Sequence, residues 1–513
     1  MNLGRRRRTD FLVVSPPVCA PSEPPSGAFL LASSLKARGF DAVLLDLSLE
    51  FYLDILETRG DPQTAGALGY LRGCGGGFTP HGHRTASGFL HRVLAQESRR
   101  TGWKTTLMDL EPPCGCHSPL KALDLSRDGL TPFGPLFERV LDRVLDDLSP
   151  GAVLVSVAYL SQLAGGIATA LHARSRGFRT VAGGSLPNSL RETGEGAAWL
   201  EEALGPVEYG DGGSLAGLDP GLPMLGELVW PDTAGRTDYI SPRPVVPYSL
   251  ETGCYWNRCL FCPDRAQPWR RIGPGALASL LETAPGDIRA AGPVVHLLDS
   301  ALAPALLAEA LPTLDASAAA FYGFARPSRE LLAGDLVERA AESGCAMLQL
   351  GVESSDRALL DSFHKGTDPG SAAEALHRIA ASGTRTYCYF LLGLPGEDGG
   401  SRAGTLGFIE ENAQAIDFAN LSIFNLPVNC ELADRADEFG IEILDRPAED
   451  GTLRLYAPFT CSGRTPRFEV RRFLAEARNA SPGLRSIVAR TPRWFRAAHL
   501  AMLDIDGRRA LQA

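Results

Sequence analysis

The stretch Glu251-Thr-Gly-Cys-Tyr-Trp-Asn-Arg-Cys-Leu-Phe-Cys-Pro-Asp264 brings three cysteines, Cys254, Cys259 and Cys262, into nine residues. It directly follows an apolar segment, Val245 to Leu250, that reads as a strand. Three thiolates on one tight loop after a strand can hold three irons of a cubane iron–sulfur cluster. No fourth cysteine follows nearby, so one iron would stay open to an outside ligand, the mark of a metal centre that acts on something. Gly253 lets the backbone approach such a cluster, and Pro263 stops the loop from running straight into a helix. The same cysteines admit a second reading, a structural zinc site completed by a distant fourth ligand. Zinc sites usually show paired Cys-x-x-Cys or Cys/His groups. No second pair follows here, and His296, the nearest downstream histidine, sits in an apolar run.

Downstream of this loop the pattern is regular. Strand candidates at 246–253, 294–299, 321–326, 347–353, 386–394 and 418–426 alternate with helices at 276–283, 303–311, 331–342, 356–363, 371–381 and 401–415. Six such repeats fit a partial parallel (β/α)6 barrel, short of a full TIM barrel, whose chemistry belongs at the carboxyl ends of the strands. Those ends carry Cys254, Asp299-Ser300, Arg326, Glu353-Ser354 and the run Gly393-Leu-Pro-Gly-Glu397. Acids and an arginine at successive ends favour a site over plain turn residues. Lys365, just past a helix, reads as a capping or surface charge.

Upstream, strands at 11–14, 42–46, 152–160, 180–184 and 207–213 alternate with helices at 26–38, 162–176 and 197–204. This alternation predicts a Rossmann-like parallel α/β sheet, with ligands outside the carboxyl ends of its strands. The loops there, 15–25, 159–165, 183–189 and 210–214, are rich in Gly, Ser and Pro and suit a large ligand with phosphate or amide groups. Residues 47–150 are less legible and read as an insertion of helices and loops, with a helix at 130–148. Within it, 73–77 with Cys74, and His81-Gly-His83, read as flexible polar stretches, and Cys114-Gly-Cys116-His117 as a surface loop. The chain therefore divides into a Rossmann-like domain at 1–220, a linker at 221–245, a barrel at 246–438 and a small helical C-terminal region at 439–513.

The cysteine loop, with Phe261 before its last cysteine, resembles the cluster loop of radical S-adenosylmethionine (SAM) enzymes. The family pattern is Cys-x3-Cys-x2-Cys, and this chain has four residues between the first two cysteines. The resemblance extends over 246–430 through Leu-Leu-Asp299-Ser-Ala-Leu-Ala-Pro304, Ala325-Arg-Pro327, Gln349-Leu-Gly-Val-Glu-Ser354, Lys365-Gly-Thr367 and Leu392-Gly-Leu-Pro-Gly-Glu397. The N-terminal third resembles the cobalamin-binding domain of one branch of that superfamily, in Pro16-Pro17, residues 21–27, Asp46, residues 156–162, Gly183-Gly184 and residues 210–213. It lacks the Asp-x-His-x-x-Gly loop that ligates cobalt in many cobalamin proteins. The resemblance implies a [4Fe-4S] cluster on Cys254, Cys259 and Cys262, with SAM and cobalamin as further cofactors. It implies SAM contacts from Phe261, Asp299, Ser300, Arg326, Glu353, Ser354, Gly393 and Glu397. Asp299 and Ser300 would lie near the amino group, Arg326 near the carboxylate, and Glu353 and Ser354 near the ribose, pairings that suit those groups. The implied activity is reductive cleavage of SAM to methionine and a 5′-deoxyadenosyl radical, then methylation or rearrangement of a small-molecule or peptide substrate. A flavodoxin- or ferredoxin-type protein would supply the electron. No residue is singled out as a catalytic acid or base.

Composition is compatible with this. A net charge of −10 argues against wholesale nucleic-acid or anionic-membrane binding. Eleven cysteines without a secretory signal fit the reduced thiols of a cytoplasm. Arginines 5–8 read as a solvated tail. From 462 to 499 nine arginines with Phe468, Phe473, Trp494 and Phe495 interleaved read as an amphipathic cover on the barrel's open side, the other reading being contact with an anionic substrate or RNA. Two further functions stay open: an RNA-modifying enzyme like the methylthiotransferases, and a non-catalytic iron–sulfur or zinc protein.

Overall fold

The computed structural model describes residues 8–58, 61–73, 77–191, 195–216, 224–444, 451–461, 466–492 and 499–503. The sequence features at Arg5 to Arg7, Cys74, Arg464, Arg493, Trp494, Phe495 and Arg496 lie outside these residues.

The N-terminal sheet has five strands: β1 (Phe11–Ser15), β2 (Ala42–Asp46), β3 (Ala152–Ser156), β4 (Thr180–Gly183) and β5 (Asp232–Ala234). All pairings are parallel, in the order β4-β3-β1-β2-β5. Short apolar runs such as Ala-Val-Leu-Leu-Asp at β2 are buried throughout, as strands covered on both faces must be. Two expectations change here. Residues 207–213 do not form a strand; only a single bridge joins Val207 to Ala182, and the run Gly210-Asp-Gly-Gly turns away. The fifth strand comes instead from the segment read as a linker, because Asp232–Ala234 pairs with β2 and completes the sheet.

The insertion is mostly helical, with Leu47–Thr58, Pro62–Leu71, Pro80–Thr101 and Pro119–Arg127 around one apolar cluster that includes Tyr52, Trp103 and Phe133. His81-Gly-His83 is not a flexible stretch. It opens the Pro80–Thr101 helix, capped by the Thr79 hydroxyl accepting from the Gly82 amide at 2.9 Å. The expected helix at 130–148 runs from Gly134 to Leu148, through a π-helical segment at Phe137–Leu141.

The second sheet follows in order: β6 (Val245–Tyr248), β7 (Val294–Leu297), β8 (Ala320–Ala325), β9 (Cys345–Glu353), β10 (Arg385–Leu392) and β11 (Phe418–Ile423). Each strand pairs in parallel with the next, giving the order β11-β10-β9-β8-β7-β6, with β6 and β11 unpaired at the two edges. This is an open (β/α)6 barrel. Alternate strand residues Val246, Val295, Phe321, Leu348, Cys388 and Phe390 pack outward against Leu277, Leu307, Leu336, Leu376 and Phe408 of the covering helices. The opposite set, His296, Tyr322, Met347, Gln349, Tyr387, Tyr389 and Asn420, therefore faces the lumen. Its deeper members share one apolar cluster with the N-terminal sheet, through Val245, Val294, Tyr322, Met347, Tyr387 and Phe418.

The C-terminal region is helical with two small antiparallel strand pairs, Leu426–Pro427 with Tyr456–Ala457 and Ile441–Ile443 with Phe459–Cys461. Helix Arg467–Ala480 packs Val470 and Leu474 on the edge of β11, covering the open side, while Arg471, Arg472 and Arg478 stay exposed.

Candidate functional site

The loop Cys254 to Cys262 leaves the carboxyl end of β6 and folds back on itself. The Cys262 amide donates to the Cys259 carbonyl at 3.2 Å, and Leu260 anchors the loop by donating to Phe363 at 3.1 Å. Leu260 is fully buried, whereas all three cysteines are free, half-buried thiols. Pro263 starts a single 3-10 turn, not a full helix. Burial pushes the Cys262 thiol up to about 12, with Asp264 adding to it. Burial also raises Cys259, against the pull of nearby Lys365 and Arg326. Occupation by a metal would release these protons, because thiolates are the ligands. Phe261 packs edge-on against Phe363 and Phe424, at 5.9 and 6.4 Å between ring centroids.

Among the described residues, no three His, Cys, Asp or Glu side chains converge to hold one metal ion. A structural zinc site needs four ligands meeting at a point, and His296 points elsewhere, to Glu23. A cubane spreads three thiolates over three irons and does not need that convergence. Three thiols on one loop fit an iron–sulfur cubane, one to each of three irons.

Around the loop, the carboxyl ends of four strands meet. Asp299, after β7, is 4% exposed and accepts from the Leu250 and Glu251 amides at 3.0 and 2.8 Å, clamping β7 to the segment that leads into the cysteines. Burial lifts its carboxyl to about 6. Ser300 donates to Asp264 at 2.8 Å, tying the same end to the turn after Cys262. Arg326, after β8, is buried; its Nη2 donates to the Lys365 carbonyl at 2.6 Å and its Nη1 to the Tyr255 hydroxyl at 3.3 Å. The guanidinium lies 3.8 Å from the centre of the Trp256 indole, a cation–π stack, and its Nε has no partner among the described residues.

Glu353, at the end of β9, faces Lys365 at 2.9 Å, with side-chain exposures of 14% and 7%. Lys365 is thus not a surface charge but half of a buried pair. Burial works against its cation, and Glu353 prevails, raising its pKa. Trp256 is fixed by its Nε1 donating to the His364 carbonyl at 2.8 Å. It lies directly over Gly366, at φ +66°, where any Cβ would overlap the indole ring. Ser354 is buried and accepts from the Asp356 amide at 3.1 Å. In the Gly393 to Glu397 turn, Glu397 accepts from the Gly393 amide at 2.6 Å, bracing its own loop. Burial lifts Glu397 to about 7, and its second oxygen is without a partner among the described residues.

The structure thus gathers Cys254, Cys259, Cys262, Asp299, Ser300, Arg326 and Glu353 at one barrel mouth. Sequence reasoning missed Tyr255, Trp256 and Glu251 and read Lys365 as a capping or surface charge. Glu251 is buried, receives the Trp269 Nε1–H at 2.6 Å and is lifted to about 7 by burial. Nothing local fixes the roles of these four, because they depend on partners far along the chain.

A second site lies where the order of the N-terminal sheet reverses, between the carboxyl ends of β1 and β3. A cavity of about 350 Å³ is lined there by Ser15, Cys19, Glu23, Ser156, Tyr159 and Gln162. An adjoining cavity of about 200 Å³ sits over Gly27, Ser156, Gly183, Gly184 and Gly210. These residues come from all four loops that the sequence marked for ligand binding. Gln162 crosses between them, donating to the Ser15 hydroxyl and Pro16 carbonyl at 3.1 and 3.0 Å. Helix Leu163–Ser175 approaches at Gly165, where a Cβ would overlap the Pro17 carbonyl oxygen. The walls offer hydroxyls, backbone groups, small apolar residues and the carboxyl side chains of Glu23, Asp109, Glu208 and Asp211.

No family model matches the chain, and no curated protein matches it by sequence. Among solved structures, it is similar to the radical S-adenosylmethionine methyltransferase TsrM from Kitasatospora setae, with tryptophan substrate and the SAM analog aza-SAM bound. The identity is 14% over 98% of this chain and 97% of that one, with a TM-score of 0.54. It is also similar to the cobalamin-dependent S-adenosylmethionine radical enzyme OxsB with aqua-cobalamin and S-adenosylmethionine bound. There the identity is 14%, the coverage 88% of this chain and 64% of that one, and the TM-score 0.52. The likeness is one of fold: a Rossmann-like parallel sheet followed by a partial barrel.

Proposed function

We propose that this protein is a radical SAM enzyme that uses a [4Fe-4S] cluster and cobalamin to methylate or rearrange a small-molecule or peptide substrate. The observation that carries the reading is the meeting of three thiols, a locked arginine and two strand-end carboxylates at one barrel mouth. Cys254, Cys259 and Cys262 would hold the cluster, and Arg326, Asp299 and Glu353 would orient SAM beside it, with Phe261, Ser300, Ser354, Gly393 and Glu397 completing the surround. The fold likeness to TsrM and OxsB supports the same reading.

When bound, these cofactors supply one-electron cleavage of a sulfonium bond and methyl transfer. The chain supplies position and dryness. Trp256 and the Lys365 carbonyl fix the Arg326 guanidinium in one plane, so it meets a carboxylate without loss of side-chain freedom. Burial raises the Cys259 thiol, and the Lys365 and Arg326 cations offset part of that rise while Glu353 opposes them. Asp299 holds the strand end that carries the cysteine loop. The two N-terminal cavities would hold cobalamin through hydroxyl and backbone groups. An external flavodoxin- or ferredoxin-type protein would deliver the electron.

Anaerobic reconstitution with iron and sulfide, followed by an iron count and a 5′-deoxyadenosine assay, tests this. We expect about four irons per chain, lost in Cys259→Ala, with deoxyadenosine formed only by the reconstituted protein. Zinc in place of iron would refute the reading. Hydroxocobalamin should stay bound through gel filtration and be lost in Gly165→Ala, whose added methyl meets the Pro17 carbonyl, while iron is kept.

A further inference from the structure

Among the described residues seven large apolar side chains stand well exposed. Two of them, Met108 at 38% and Tyr159 at 59%, line the same cavity, the one of about 350 Å³ beside β1 and β3. Single exposed apolar residues are ordinary on a protein surface, but two at one cavity point to a binding surface. They come from separate parts of the chain. Met108 belongs to the helical insertion, in the turn that joins the antiparallel pair Lys104–Thr105 and Leu110–Glu111. Tyr159 belongs to the loop that leaves β3.

Neither is exposed through slackness of its loop. The Met108 turn is closed by the Thr106 amide donating to the Asp109 carbonyl at 2.8 Å. It is pinned to the core by the fully buried Tyr52, whose hydroxyl donates to the Thr106 carbonyl at 2.7 Å, and by the buried Leu107. Such turns ordinarily carry glycine or short polar residues at their tips; this one presents a thioether. The Tyr159 loop is tied down by Gln162, which accepts from the Ala158 amide at 2.9 Å while its own amide reaches Ser15 and Pro16. The hairpin strand Leu110–Glu111 packs on the turn Leu160–Gln162, so the two loops form one rim. Burial, then nearby Cys19 and Glu23, raise the Tyr159 phenol to about 12, so it stays neutral. Among the described residues no lysine, arginine or histidine lines either N-terminal cavity. A ligand is therefore held here by apolar and hydrogen-bonding contact, not by a cation.

We propose that Met108 and Tyr159 seat the corrin ring of cobalamin, so that the insertion contributes to the cofactor site through one hairpin. The proposal rests on the reading of the N-terminal cavities as a cobalamin site and names residues that hold the ring within it. A broad macrocycle laid on this rim covers a thioether and an aromatic ring at once and removes both from water. Methionine suits an irregular ring surface, because its side chain is unbranched and polarizable. Both are positioning residues: they hold the cofactor and take no part in the chemistry.

Release of a corrinoid from the full-length protein tests this without cluster or SAM. The protein is loaded with hydroxocobalamin, and loss is followed by visible absorbance through repeated ultrafiltration. We expect Met108→Ser and Tyr159→Ser each to speed release at least about fivefold. Tyr159→Phe keeps the ring and should stay within about twofold of the wild type. Both side chains are exposed in the ligand-free protein, so without corrinoid the serine variants should melt within about 2 °C of the wild type. Cobinamide, which has the ring but no nucleotide tail, should show the same acceleration. Unchanged release from the serine variants, acceleration with hydroxocobalamin but not cobinamide, or a larger fall in melting temperature would each overturn the proposal. Wild-type protein that retains no corrinoid refutes the cobalamin reading and this proposal together. Equal retention by the wild type and both serine variants defeats this proposal alone.

Discussion

Lys365→Met should damage this protein more than its sequence position implies. The ammonium sits 2.9 Å from Glu353 with 7% of its side chain exposed, and Glu353 is 14% exposed. Removing one partner leaves a buried charge unpaired, which costs about 3–5 kcal/mol, whereas removing both often costs little. For a unit of roughly 150–250 residues each kcal/mol lowers Tm by about 2–4 °C. Lys365→Met and Glu353→Gln should therefore each lower the melting temperature by roughly 6–20 °C. The double variant should recover at least half of that loss. Fluorimetric melting of the four proteins, all without cluster, gives the coupling directly. Chain-wide unfolding need not be two-state, so the Tm differences and not an extrapolated free energy are compared. Additive losses, or single losses of less than about 2 °C, would show that water screens the pair and refute the reasoning.

Two further outcomes follow from the same geometry. Gly366→Ala meets the Trp256 indole and adds about 1–2 kcal/mol of left-handed strain; near-UV circular dichroism should change and SAM affinity in equilibrium dialysis should fall as Arg326 loses its stack. Asp46 accepts from the Ser48 and Leu49 amides and the Tyr239 hydroxyl, yet burial raises it from 3.8 to about 6. The folded state therefore keeps a proton that the unfolded state has lost, so stability falls as pH rises from about 4 to about 6 and then levels off, by about 3 kcal/mol in all. Asp46→Asn should lessen that slope in melting curves taken at pH 4 to 7, leaving the part that the raised Asp299, Glu251 and Glu397 contribute; an unchanged slope would refute the assignment.

The sequence by itself determined the two parallel sheets and the barrel mouth. Short apolar runs alternating with amphipathic helices leave few other ways to cover both faces of a strand, and the residue after each run must stand at a strand end. That is why Cys254, Asp299, Arg326 and Glu353 could be placed together from spacing alone. Elements with weak local signals were misjudged: Asp232–Ala234 is a strand only because β2 offers an unpaired edge, and residues 207–213 carry too many glycines to hold one. Tertiary structure alone decided the charge states and contacts. Lys365 is buried because β9 turns Glu353 toward it, and Trp256 covers Arg326 because Gly366 leaves room. Glu23, His296 and His499 meet though hundreds of residues separate them. Periodicity reports which face of an element is buried; it carries no information about which distant polar atom lies opposite, and burial makes that partner decisive.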